Sequence, residues 1–204
     1  MTLIIGKEEP GRLVMGADSA CGTPEEFYVY PHLPKIARCG PYLVGACGSG
    51  RVVQILQHCV QWPEPPLSGD LLPFLIHEVV PEILRAAQAG GVEPARGLFL
   101  GDRTVVQIGI RGELYVMGSD LVISRSRGLS CIGHGRHAGY PVMEALERAG
   151  VGPARRQIEM ALEIVARHVP VVAPPFRFLE QSANEVPAPS PRTEQLAVGC
   201  PPAG

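Results

Sequence analysis

The stretch TLIIGKEEPGRLVMGADS, residues 2–19, decides how the rest of the chain is read. Thr2–Ile5 is short and branched, Arg12–Ala17 is a second apolar run, and Pro10–Gly11 between them signals a turn. This pattern predicts a hairpin that opens at Thr2 and returns Asp18 to its side at one end of a sheet. The same alternation recurs at Lys35–Cys39 and Tyr42–Cys47, turned at Gly40–Pro41. Gly48-Ser49-Gly50 then opens a helical pattern, with Val52, Val53, Ile55, Leu56, Cys59 and Val60 at helical spacing and Ser49 placed to cap it.

Further along, Gln61–Gly69 is a proline-rich connector, and Asp70 caps a very apolar helix running to about Ala89, bent near Pro81. Its lack of a polar face predicts a helix sandwiched between layers. Strands are expected at Gly97–Leu100, Thr104–Ile110, Glu113–Met117, Leu121–Ser124 and Leu129–Ile132. Two helices follow, from Gly133-His134-Gly135 to about Ala149 and over Ala154–His168. Val169–Leu179 is a last extended segment, limited by its prolines to a sheet edge. Strands and helices come in blocks, which disfavours a doubly wound parallel sheet and predicts an α+β, four-layer αββα sandwich. The domain spans residues 2–180. Residues 181–204 hold five Pro and three bulky aliphatics, the composition of a disordered tail.

Composition narrows the function classes. The 204 residues carry a formal charge of −2, so no basic stripe suits a nucleic-acid partner. The most apolar stretch, Leu71–Leu84, is broken by Pro73, Pro81, His77 and two glutamates, which excludes a membrane span. The six cysteines show no C-x-x-C, and the start lacks a secretory pattern, so reduced thiols in a cytoplasm are expected. Sixteen Arg against two Lys, Lys7 and Lys35, is the one oddity.

Four residues carry candidate chemistry. Met1 before a small residue is a context for removal, which leaves Thr2 with a hydroxyl and a free α-amine able to act as its base. Asp18 stands at the mouth of the hairpin that Thr2 opens. Lys35, unlike Arg, can have its pKa lowered by desolvation and share a proton. Gly48, between a strand and a helix, offers backbone N–H groups to an acyl-transfer oxyanion or to a phosphate. Each has a plainer reading as well: an ordinary terminus, a turn carboxylate, a solvated strand-edge lysine, a tight turn. His134, His137 and His168 are read as polar side chains rather than metal ligands, and Arg125, Arg127 and Arg136 as a solvated face, a subunit contact or a carboxylate site.

Taken together, the Thr2 hairpin, Gly16-Ala17-Asp18-Ser19, Pro34-Lys35-Ile36, Val44–Gly50 and Cys131-Ile132-Gly133-His134-Gly135 resemble the proteasome β-subunit/HslV group of N-terminal-nucleophile hydrolases. The resemblance implies Thr2 as nucleophile, Lys35 and Asp18 as the charge pair tuning it, and Gly48 as oxyanion donor. Ser19, His134 and His168 are supporting candidates. It further implies a peptide or protein substrate, a homo-oligomeric ring, an ATPase partner that the sequence neither requires nor excludes, and no metal or other cofactor. Two departures stand out: His134 replaces a family serine, and Arg167-His168-Val169-Pro170 lies where the family has an acidic residue and a serine. They motivate an alternative, a catalytically degenerate assembly or scaffold subunit. A phosphate- or nucleotide-binding module using Gly48-Ser49-Gly50 is the third reading.

Overall fold

Gly11, at a φ of +73°, turns the first hairpin as expected. In the computed structural model, which describes residues 2–22, 27–29, 33–94, 97–101 and 103–183, β1 (Ile4–Glu9) pairs with β2 (Arg12–Ala17) from Ile4↔Ala17 to Glu9↔Arg12. Short strands β3 (Ala20–Gly22) and β4 (Phe27–Val29) pair with each other and had no clear pattern in the sequence. Next come β5 (Ile36–Cys39), β6 (Tyr42–Cys47) and α1 (Gly50–His58). The apolar helix is three pieces: α2 (Leu71–Phe74), a π-turn (Leu75–Val79) and α3 (Val80–Ala89). The remaining elements are β7 (Val105–Ile110), β8 (Glu113–Met117), β9 (Ile123–Arg125), β10 (Leu129–Ile132), α4 (Arg136–Arg148), α5 (Ala154–His168) and β11 (Arg177–Ser182).

Besides the two-stranded β3-β4 sheet, the described residues form two larger sheets, one ordered β10-β1-β2-β11 and one ordered β5-β6-β7-β8-β9. Alternation along β1 and β2 serves two cores at once. Leu3, Ile5 and Val14 pack with Met143, Ile158, Leu162 and Val165 of α4 and α5. Ile4, Leu13, Met15 and Ala17 face Leu43 and Leu114 of the other sheet. That second sheet turns Val44, Val106 and Ile108 outward against Val52, Leu56, Leu75 and Ile83 of the first helical layer. The chain is therefore an αββα sandwich, as expected. The sheets touch closely: a Cβ on Gly109 would lie 2.2 Å from Leu13 Cδ2. Leu13 is fully buried, and Leu13→Ala is expected to cost about 2–5 kcal/mol in urea unfolding.

Several local expectations are corrected. Ser49 makes no side-chain cap, and α1 ends at His58, short of Cys59 and Val60. Asp70 does cap, accepting from Leu72 N at 3.0 Å. The bend near Pro81 takes the form of the π-turn, because Pro81 supplies no N–H to the turn before it. The α2–α3 segment is an outer layer and not a sandwiched one: Leu71, Leu75, Val79 and Ile83 are buried while Ile76, His77 and Glu78 are exposed. Residues 97–100 are turns and an isolated bridge rather than a strand. Leu121 has a φ of +67°, which delays β9 to Ile123.

The last strand begins at Arg177, later than Val169, and occupies the sheet edge beside β2. It continues through Gln181 and Ser182, past the boundary expected at residue 180. Gln181 is buried, donates to Pro41 O at 2.6 Å and accepts from Gly112 N at 3.1 Å. The rest of the expected tail, residues 184–204, lies outside the described residues. Among the described residues, no helix is long and apolar enough to cross a membrane.

Candidate active site

Thr2 lies just before the first strand, and it is buried, at 6% exposure. Its surroundings hold it by backbone on two sides. Asp18 N donates to Leu3 O at 3.2 Å, and Leu3 N donates to Asp18 Oδ1 at 2.8 Å. From the other side, Gly135 N donates to Thr2 O at 3.1 Å. Gly133, at a φ of +90°, fits against Thr2 so tightly that a Cβ there would lie 2.3 Å from Thr2 O. The Gly133-His134-Gly135 segment thus acts as a cradle for Thr2, because β10 runs beside β1 with Ile4 opposite Ile132.

Asp18 is 2% exposed and fully engaged. Its Oδ1 accepts from Lys35 Nζ at 2.7 Å as well as from Leu3 N. Its Oδ2 accepts from Ala20 N at 2.9 Å and from Ala173 N at 3.4 Å. One carboxylate oxygen therefore joins the Lys35 ammonium to the Thr2–Leu3 peptide. Lys35, immediately before β5, is 8% exposed. Burial holds its pKa below the ordinary lysine value of 10.5, with the Asp18 carboxylate opposing the shift.

Across the cleft, Gly48 follows β6 at a φ of +107°. A Cβ there would lie 2.7 Å from Thr104 Cα and 2.9 Å from Arg103 O, so the position requires glycine on conformation and on space. Thr104, itself fully buried, donates through Oγ1 to Leu100 O at 2.7 Å. Nothing in the sequence distinguished Thr104 from an ordinary strand residue. The same crowding means that any side chain at position 48 would disturb packing against Thr104 and Arg103.

Thr2, Cys47, Gly48, Gly133 and His134 line one cleft of about 1190 Å³. Cys47 is buried, and that burial pushes its thiol above the ordinary value, keeping it protonated. Ser19 is not among the lining residues. It donates through Oγ to Pro175 O and through N to Ala173 O, pinning the segment before β11. His168, a supporting candidate in the sequence, is exposed at the end of α5 and does not line the cleft, while its neighbours Val165 and Val169 pack into the core. His137 is exposed and lines it. Among the described residues, no three His, Cys, Asp or Glu side chains are grouped to hold a metal ion.

No family sequence model matches the chain, and no curated protein matches it in sequence. Solved structures do match in shape. BPH from Thiobacillus denitrificans superposes with a TM-score of 0.73 at 19% identity, covering 91% of this chain and 100% of that one. HslV from Trypanosoma brucei gives 0.63 at 14%, covering 89% and 99%. Anbu from Pseudomonas aeruginosa, solved as a helical assembly, gives 0.59 at 16%, covering 89% and 81%. Such identities carry the fold alone, and at that level the chain is a proteasome-like sandwich of the type seen in HslV and Anbu.

Proposed function

We propose that the chain is an N-terminal threonine hydrolase that cleaves peptide or other amide bonds through an acyl-enzyme on Thr2. The observation that carries this reading is the single oxygen, Asp18 Oδ1, shared by Leu3 N and Lys35 Nζ. It anchors a cation of lowered pKa next to a buried threonine, with the required glycine at 48 bordering the same cleft.

With Met1 removed, the Thr2 amine takes the hydroxyl proton as Oγ1 attacks the substrate carbonyl. Lys35, whose proton is held loosely because of burial, shares that proton with the developing alkoxide as well as favouring it electrostatically, and Asp18 keeps the ammonium in place. A backbone N–H at Gly48 stabilises the tetrahedral oxyanion. The amine then returns its proton to the leaving nitrogen, an ester remains on Thr2, and water releases it. Cys47, although close, is a poor rival nucleophile because it stays protonated.

Intact mass after incubation with a threonine-directed peptide epoxyketone tests the reading. Wild type is expected to lose Met1 and gain one adduct, and Thr2→Ala to gain none. Equal labelling of both would sink the mechanism. A second reading, a catalytically degenerate assembly subunit, draws on the exposure of His134 and His168 where the family resemblance called for supporting serine and acidic groups. A mature chain that keeps Met1, and so has no free amine on Thr2, would favour that reading. In either case we infer a self-assembling protein whose domain reaches at least to β11, with the remaining residues as an appended tail.

A further inference from the structure

The cleft that holds Thr2 is lined by four basic side chains, Arg103, His134, Arg136 and His137, and by no aspartate or glutamate among its described residues. Several features show that this is a built arrangement. The first turn of α4 contains no acidic residue, yet Arg136 and His137 sit there, at the positive end of the helix dipole. A cation such as Arg136 in that position weakens a helix, so its placement is unfavourable for α4 taken alone.

Both helices that begin at the cleft also lack side-chain caps. Ser49 does not cap the nine-residue α1, and Gly135 does not cap the thirteen-residue α4. Two N-terminal dipoles therefore add to the positive field of the side chains. Arg103 is held in the left-handed region, at a φ of +58°, a conformation that costs energy in a residue other than glycine. Its carbonyl is part of the tight packing around Gly48, which fixes the Arg103 backbone at the rim. Arg136 is exposed and donates through Nη1 to Gly133 O at 3.3 Å, tying one cation to the segment that cradles Thr2.

We propose that the cleft selects anionic peptides, with a carboxylate side chain near the bond to be cleaved seated between Arg136 and Arg103. The guanidinium forks suit a carboxylate, and a lysine or arginine on the substrate would meet like charge. The proposal rests on the threonine-hydrolase reading for its reaction, but the selection can be measured without turnover.

Fluorescent peptide amides that differ only in Glu against Gln are titrated onto the Thr2→Ala chain at low ionic strength. The Glu peptide is expected to bind at least about tenfold more tightly, and added salt should erase that difference. Arg136→Gln, a change at an exposed position, should bring the two affinities together, and Arg103→Gln should narrow the gap. Equal affinities for Glu and Gln peptides, or a preference untouched by both substitutions, would overturn the proposal. Epoxyketone labelling of wild type fails or succeeds separately. Labelling without a charge preference removes this inference alone, and a charge preference without labelling removes the hydrolase reading alone.

Discussion

Lys35→Arg is expected to slow amide cleavage by roughly 10²–10³-fold, the size of effect associated with losing a positioned proton-sharing group. The substitution keeps the positive charge and can keep a bond to Asp18, so a purely ionic role for residue 35 would survive it. It removes the capacity to give up a proton, which burial has made easier for Lys35 than for an ordinary lysine. The pH dependence supplies a second readout. The folded state binds the Lys35 proton more weakly than the unfolded state, so between the lowered value and 10.5 the unfolded chain holds more protons. Stability from this group therefore rises as pH climbs toward 10.5. Urea unfolding along that limb should show the rise in wild type and lose it in Lys35→Arg. An arginine variant with wild-type turnover and an unchanged limb would remove Lys35 from the mechanism.

Gly133→Ala is expected to be the most damaging glycine-to-alanine change among the described residues. The new Cβ would need the space of Thr2 O, 2.3 Å away, and that of Thr2 Cβ, 3.0 Å away, at a φ of +90°. Either β10 retreats from β1 or Thr2 moves. Both break the geometry around the hydroxyl, for which a displacement of about 1 Å can cost 10²-fold in rate. Gly150→Ala provides the control. Its φ of +66° carries similar backbone strain, but nothing lies within 4 Å of the added methyl. Gly150→Ala should lower the unfolding midpoint and keep the turnover, whereas Gly133→Ala should lose both. Kinetics on the two variants, alongside thermal melts, separate strain from displacement.

The contrast between these two glycines shows what a one-dimensional reading could and could not reach. Asp18 was legible as a neighbour of Thr2 because the Pro10–Gly11 turn sets the hairpin register, and Ile4↔Ala17 carries that register to Leu3 and Asp18. Lys35 was legible through its rarity and its place before an apolar strand. Both inferences rest on local order. The cradle formed by Gly133 depends on β10 lying beside β1, a pairing between residues more than one hundred and twenty positions apart, which no periodicity in either strand announces. Thr104 against Gly48 is hidden for the same reason. His168 differs: helical spacing assigns a broad face but not its margin, and His168 is exposed while Val165 and Val169 beside it pack inward. The π-turn was visible only as a bend, since Pro81 marks a missing donor without saying how the preceding turn adjusts.

The stitch made by Gln181 has a consequence for handling the protein. Ala183 N donates to Gly11 O, so the described chain leaves the fold beside the turn of the first hairpin. Thr2 stands at the opposite end of that hairpin, a six-residue strand or about 20 Å away. The hairpin is polar in the geometric sense, with the candidate nucleophile at one tip and the departure of the described chain at the other. An affinity tag or fluorophore joined after residue 183 starts from the tip away from Thr2, whereas an extension ahead of Thr2 would cover the amine that the proposed mechanism needs.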